Sequence, residues 1–125
     1  MSVVHTTAIR NGIADYVVDQ IDTGGGNGTL EFQTSGDVQV ATLTFAATAF
    51  GAASSGVATA AAITSDTNAT GGTIAKARIK KNGGTEILNC SVTATGGGGD
   101  ITLSSVVVSA GQTVALTSLT YTAPV

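Results

Sequence analysis

The sequence has few of the side chains that carry out catalysis. Its 125 residues include one histidine, one cysteine and no tryptophan, and only 10% of them are charged. Acid-base, nucleophilic and metal-dependent enzymes depend on such side chains. His5 has no second histidine or adjacent cysteine with which to hold a metal, and no nucleophile-elbow sequence presents a serine for it to activate. We therefore predict that the protein is not an enzyme, has no catalytic residues, and binds no metal or cofactor.

Other scarcities exclude further classes of function. No apolar run approaches the roughly 20 residues of a membrane-spanning helix. The net charge of −3 disfavours nucleic acid as a partner, because that surface would be basic. Cys90 has no second cysteine with which to form an internal disulfide, which favours a small apolar role over a reactive thiol. The opening residues lack the basic and apolar regions of a secretory signal, so we expect synthesis in a cytoplasm and no membrane partner.

The sequence is instead rich in Thr, Ala, Val, Ser and Gly, which is typical of strands and turns. Residues 6–22 are the exception and predict an amphipathic helix. Its apolar arc includes Ile9, Ile13 and Val17, whereas Asp15, Asp19 and Asp22 lie on the other side. Arg10 and Gln20 fall inside the apolar arc, and we expect their stems to reach outward past its edge. The glycine run 24–28 ends the helix, and a linker or turn is favoured there over a phosphate loop, because the run follows a helix instead of preceding one.

Alternating and β-rich segments fill the rest of the chain. We expect strands at 30–33, 38–45, 57–63, 74–80, 86–94, 101–108 and 112–121, with a β-bulge near Ala41 and the residues 75, 77 and 79 on one face. The sequence Asn82-Gly83-Gly84 predicts a hairpin, and the last two strands are expected to pair through 109–111. The prediction is a single domain over 1–125: an N-terminal helix at 6–22, then, over 29–122, an antiparallel β-sandwich or jelly-roll-like barrel of about seven strands.

Three groups of polar residues are candidates for binding. Lys76, Arg78 and Lys80 alternate along one strand; they could meet an acidic partner, although a solvated sheet face is favoured. Asp66 and Asn68 could hold a cation, but turn capping is favoured because calcium needs about six to eight oxygen ligands. The run 96–100 resembles one calcium-binding nonapeptide repeat without recurring, so a hairpin tip is favoured.

The supply of large apolar side chains is small for a two-sheet core. The chain has five aromatic residues, which are Tyr16, Phe32, Phe45, Phe50 and Tyr121. Burial at about 25 cal/mol per Å² must offset roughly 1 to 2 kcal/mol of backbone entropy per residue, so an isolated copy would be marginally stable. We therefore expect a homo-oligomer or attachment to a larger assembly, with the helix and residues 46–55 as contact surfaces.

Several segments resemble a family of small virion structural proteins from tailed bacteriophages. They are Asp19-Gln20-Ile21-Asp22-Thr23-Gly24-Gly25-Gly26-Asn27-Gly28-Thr29-Leu30, Ala41-Thr42-Leu43-Thr44-Phe45, Ala49-Phe50-Gly51-Ala52-Ala53, Gly56-Val57-Ala58-Thr59-Ala60, Ile63-Thr64-Ser65-Asp66, Gly98-Gly99-Asp100-Ile101-Thr102-Leu103 and Ala110-Gly111-Gln112-Thr113-Val114. Similar chains carry a bulkier residue near Ala77. The resemblance implies a passive component of the phage particle.

Within the virion, the interpretation that we favour is a head decoration or cement protein. The resemblance implies a virion protein, made in the host cytoplasm, that binds the major capsid protein or other virion proteins, often as a trimer. A tail or neck subunit is the alternative within the same class. A carbohydrate-binding or adhesin module is the alternative from another class, and it would need Tyr16 or Tyr121 exposed beside a polar groove.

Overall fold

The computed structural model describes residues 3–124 and confirms a mainly β fold of the sandwich type with one N-terminal helix. Helix α1 covers Thr7–Asp19 and continues as a 3-10 turn, Gln20–Asp22. Nine strands follow: β1 Thr29–Gln33, β2 Gln39–Thr44, β3 Val57–Thr59, β4 Gly72–Thr73, β5 Lys76–Lys80, β6 Glu86–Ala94, β7 Ile101–Leu103, β8 Val107–Val108 and β9 Thr120–Thr122. Within the described residues, no helix has the length and apolar character needed to span a membrane.

Helix α1 forms where the apolar period predicts it. Thr6 caps its first turn by accepting a hydrogen bond from the Ile9 amide at 3.4 Å. Ala14, Val18 and Ile21 are fully buried, so one face of the helix joins the core. The helix lies against β3 and β9 of its own chain.

The main sheet has five strands in the order β2-β1-β5-β6-β7. Its first three pairings are antiparallel as predicted, and β5 and β6 form the expected hairpin at 82–84. The pairing of β6 with β7 is parallel, which corrects the all-antiparallel expectation. Parallel neighbours usually need a crossover of about a dozen residues or more. Here β7 has only three residues, and the returning loop is fixed to β6 because Asp100 accepts hydrogen bonds from the amide and hydroxyl of Ser91.

The predicted pairing of the last two strands is wrong. A turn does form near 109–111, where the Gln112 amide donates to the Ser109 carbonyl at 3.1 Å. The flanking segments then find other partners: β8 pairs with β4, and β9 pairs with β3. Val114 exchanges two backbone hydrogen bonds with Asp66, which draws this segment away from β7.

The bulge lies one residue from its predicted position. Phe32 pairs with Ala41 and Gln33 pairs with Gln39, so Val40 is the extra residue of β2. Val40 and Ala41 are both buried, as a change of alternation at this point requires.

Two segments depart from simple alternation. Of the predicted strand at 57–63, only Val57–Thr59 is regular, and residues 46–56 form a long loop over α1. Ala75 is exposed instead of sharing a face with Ala77 and Ile79, because β5 starts at Lys76 and Ile74 takes the buried position before it.

The core is built around three phenylalanines. Phe32 and Phe45 are fully buried and Phe50 nearly so, and the rings of Phe45 and Phe50 lie 5.8 Å apart between centroids. Phe32 stands between Ala41 of β2 and Ala77 of β5 in the strand register, and both alanines are fully buried. The small side chain at Ala77 therefore leaves room for the large one beside it.

Candidate interaction surface

The polar side of helix α1 is fastened to the loop that follows β2. Asn11, Asp15 and Asp22 lie on one line of the helix, and each accepts a hydrogen bond from a backbone amide of that loop. The donors are Gly56 to Asn11 at 2.7 Å, Ala53 to Asp15 at 2.7 Å and Ala49 to Asp22 at 3.1 Å. The helix and residues 46–55, which we expected to meet neighbouring molecules, therefore contact each other within one chain.

Arg10 also turns towards the body of the protein. Its guanidinium lies against Gly56 and donates to the Ala123 carbonyl at 3.3 Å, so the expectation that its stem reaches outward is wrong. An arginine can take this position because Gly56 has no side chain to exclude it. The helix is consequently held along its length in a fixed orientation.

Another side of α1 carries an apolar surface, which we call the outer helix face. It consists of Ile9, Gly12 and Tyr16, spaced as one stripe of the helix, with the half-buried Ile13 at its inner edge and the exposed Asp19 one turn beyond Tyr16. Tyr16 is 69% exposed and Ile9 is 53% exposed, although both are large and mainly apolar. A Cβ added at Gly12 would meet nothing within 4 Å apart from its chain neighbours and the surrounding helix backbone.

Replacing Gly12 is expected to stabilise the isolated chain. Glycine in a helix interior costs up to about 1 kcal/mol relative to alanine, and the new methyl group of Gly12→Ala would face solvent. We expect the free energy of unfolding to rise by roughly 0.5 to 1 kcal/mol, measured by urea denaturation followed by circular dichroism. A decrease would mean that this side of the helix is packed in the isolated protein.

A short N-terminal arm, residues 3–6, precedes the helix and is also apolar. Val3 is 78% exposed and Val4 is 73% exposed. Together with Ile9 and Tyr16 they account for four of the six exposed large hydrophobic residues among residues 3–124. Exposed apolar side chains are therefore concentrated at the N-terminal end of the described residues. Such a concentration of apolar surface is typical of an interaction site.

The predicted basic row is present but is neutralised by acidic side chains of its own chain. Lys76 and Arg78 pair with Asp37, the latter at 3.1 Å. Arg78 also lies 3.0 Å from Glu86, and Lys80 lies 3.1 Å from Glu31. This network crosses the polar face of the main sheet, which favours a solvated sheet face over a binding site for an acidic partner.

Glu31 is the most enclosed carboxylate of that network. Burial alone would raise its pKa, but hydrogen bonds from Gln33 and Lys80 and the positive charges of Lys80 and Arg78 outweigh it. The pKa of Glu31 therefore lies below its ordinary value. A carboxyl group with a lowered pKa stabilises the fold at neutral pH and loses that contribution as pH falls through the folded-state value.

The ion pairs predict a pH dependence that one variant should change. In the wild-type protein the stabilisation from Glu31 is complete above the ordinary carboxyl pKa and disappears under more acidic conditions. Glu31→Gln is expected to lower the free energy of unfolding by about 1 kcal/mol at pH 7 and to reduce its fall between neutral and acidic pH. Urea denaturation at several pH values measures this. Identical pH profiles for both proteins would contradict the assigned role of Glu31.

A cleft of about 440 Å³ opens between β6 and β9. Leu88 and Cys90 line one side, and Leu119 and Tyr121 line the other. The Cys90 thiol is half-buried, and its pKa is raised by burial and by the negative charge of Asp100, as suits a largely inert thiol. The Tyr121 ring is also half-buried, so it is not displayed to solvent as a sugar-binding platform usually is.

The remaining candidates have structural roles. Asp66 accepts hydrogen bonds from the Asn68 and Thr42 amides, both at 2.9 Å, so it caps a turn as expected. Glycines 24, 26 and 28 let the 24–28 loop approach the β5–β6 hairpin closely. Within residues 3–124, His, Cys, Asp and Glu side chains do not gather in groups of three that could hold a metal.

Comparison of the chain with protein-family models, curated proteins and solved structures finds no match.

Proposed function

We propose that the chain is a structural protein of a tailed bacteriophage particle, made in the host cytoplasm and incorporated into the virion as a head decoration, or cement, protein. It binds the major capsid protein on the outer surface of the head, between capsomers. It takes no part in catalysis and carries no cofactor. A homo-oligomer, with a trimer favoured, is the form that we expect to bind.

The observation that carries this proposal is the outer helix face. Tyr16 and Ile9 are exposed on a helix whose other side is fixed to the sandwich by Asn11, Asp15 and Asp22. Apolar and aromatic side chains on a rigid element bind a partner at a low entropic cost. Ile9, Gly12 and Tyr16 carry no charge, which suits burial in a contact, and the exposed Asp19 lies at the end of that surface.

Decoration would stabilise the head by mass action. A subunit that binds the assembled shell but not its expanded or broken forms lowers the free energy of the intact particle. The contribution per site grows with the ratio of free concentration to dissociation constant. The rigid attachment of α1 matters here, because a helix that moved on its own sandwich would add no stiffness between capsomers.

Binding to capsids tests the proposal. The purified chain is titrated onto empty heads assembled from the major capsid protein of the phage that encodes it, and bound copies are counted after sedimentation. Tyr16→Ala is expected to weaken binding by about tenfold or more. Val38→Ala, which removes another exposed apolar side chain away from the helix, is the matched control and should bind as the wild type does.

The alternatives predict other results. If the wild-type chain does not bind heads but binds isolated tails or necks, a tail or neck subunit is favoured. Equal binding of Tyr16→Ala and wild type to heads would retain decoration but reject the outer helix face as its contact. Binding of free glycans without any particle would favour the carbohydrate-binding or adhesin module.

A further inference from the structure

Strand β6 has an edge that its neighbours leave unpaired. The strand is nine residues long, and β5 pairs along most of one side. On the other side β7 pairs only with Val92–Ala94. The edge at residues 86–90 has no neighbour among the described strands, and such an edge presents backbone N–H and C=O groups to any chain that can pair with them.

The cleft lies along this edge and is bounded on its far side by another incomplete sheet. Leu88, Asn89 and Cys90 of β6 line it, and β9, which pairs only with β3, lines the opposite wall. Its floor reaches the buried side chains of Phe50 and Ile79. The cleft therefore separates the two sheets, and alternate side chains of an added strand could cover its apolar floor.

The N-terminal arm has the properties of the missing strand. Val3 and Val4 are β-branched, strongly exposed and outside any helix or strand. Extended, residues 3–6 would span about 13 Å, against roughly 17 Å for the five-residue edge.

We propose that the arm of one copy enters the cleft of a second copy and pairs with the free edge of β6 as an added strand. The contact joins different surfaces of the two copies, so repeating it gives a head-to-tail arrangement that can close into a ring. A ring of three is the closure that agrees with the trimer that the family resemblance implies. The contact also supplies apolar burial that the small core of an isolated copy lacks.

The single native cysteine provides a direct test, because Cys90 lines the cleft. Val3→Cys and Val4→Cys are each prepared as mixtures of ¹⁵N-labelled and unlabelled chains and oxidised with copper phenanthroline in air. Side chains of a strand alternate between its two faces, so only one of residues 3 and 4 would lie on the same face as Cys90. Docking raises the local concentration of that thiol near Cys90. One variant should therefore cross-link to Cys90 about tenfold faster than the other. Tyr16→Cys, exposed on the helix, is the control and should not cross-link to Cys90.

Mass spectrometry identifies the linked peptides. The proposal predicts a peptide joining residue 3 or 4 to Cys90 with one labelled and one unlabelled half, and loss of the product in a Cys90→Ser background. Sedimentation equilibrium of the wild type should show self-association that Val3→Ser/Val4→Ser weakens. Cross-links only between two arms, only within one copy, or equally from both positions would overturn the proposal. So would a wild-type chain that stays monomeric at millimolar concentration, or methyl glycosides that bind the cleft of such a monomer.

Discussion

Phe32→Ala is expected to lower the free energy of unfolding by about 3 to 5 kcal/mol, the largest effect of any single truncation that we predict. Phe32 is fully buried in β1, which lies between β2 and β5 in the main sheet. An alanine lies directly opposite it on each of these two neighbouring strands. Truncation would leave three alanines side by side and a cavity that none of them can fill. Small domains have roughly 5 to 15 kcal/mol of total stability, so much of it would be lost.

Urea denaturation at 25 °C followed by circular dichroism measures the effect, with Tyr16→Ala as the matched aromatic truncation. Tyr16 is 69% exposed, and its removal should change the free energy of unfolding by less than about 1 kcal/mol. Phe32→Leu provides a graded variant should the alanine form fail to fold, with an expected cost nearer 1 kcal/mol. Equal costs for Phe32→Ala and Tyr16→Ala would show that the assigned core is wrong.

Gly28→Ala is expected to destabilise the protein by about 1 to 3 kcal/mol or more, although it adds a single methyl group. The new carbon would lie 2.8 Å from the carbonyl oxygen of Lys80 in β5 and would overlap the side chain of Ile21. Gly28 cannot easily move aside, because its own carbonyl accepts a hydrogen bond from the Phe45 amide at 2.9 Å. The substitution therefore forces the end of the helical segment away from the sheet.

The control for this substitution is Gly51→Ala. Its added carbon would have its nearest neighbour, the Thr59 carbonyl oxygen, at 3.8 Å, an ordinary contact distance. Thermal unfolding of the two variants against wild type measures the difference, and the Gly28 variant should melt several degrees lower. A Gly28→Ala protein as stable as Gly51→Ala would mean that the glycine run is a flexible linker and not a close-packed joint.

Features that depend on neighbouring residues along the chain could be predicted from the sequence. The helix has a 3.6-residue apolar period, the β5–β6 hairpin has the turn sequence Asn82-Gly83-Gly84, and the bulge near Val40 shows as a change in alternation. Each of these is local. The partners of the last strands are not, because β8 and β9 alternate in the same way whichever strand they pair with.

The candidate surface was predictable only in part. The sequence indicated the helix as a contact surface but assigned Asp15 and Asp22 to its solvent side. In the structure both carboxylates accept hydrogen bonds from backbone amides of a distant loop. An aspartate with such a partner has the same sequence pattern as a solvated one. The cleft beside Cys90 could not be predicted at all. It results from the short parallel pairing of β7 with β6, and no residue pattern specifies that pairing.

Image reconstruction of the phage particle tests most directly whether this chain functions by binding to a larger assembly. We expect on the order of hundreds of copies on the outer surface of the head, in a symmetric arrangement with Ile9 and Tyr16 against the capsid protein. Roughly six or twelve copies at the neck or tail would contradict decoration. Particles that lack the chain altogether would contradict the role in the virion itself.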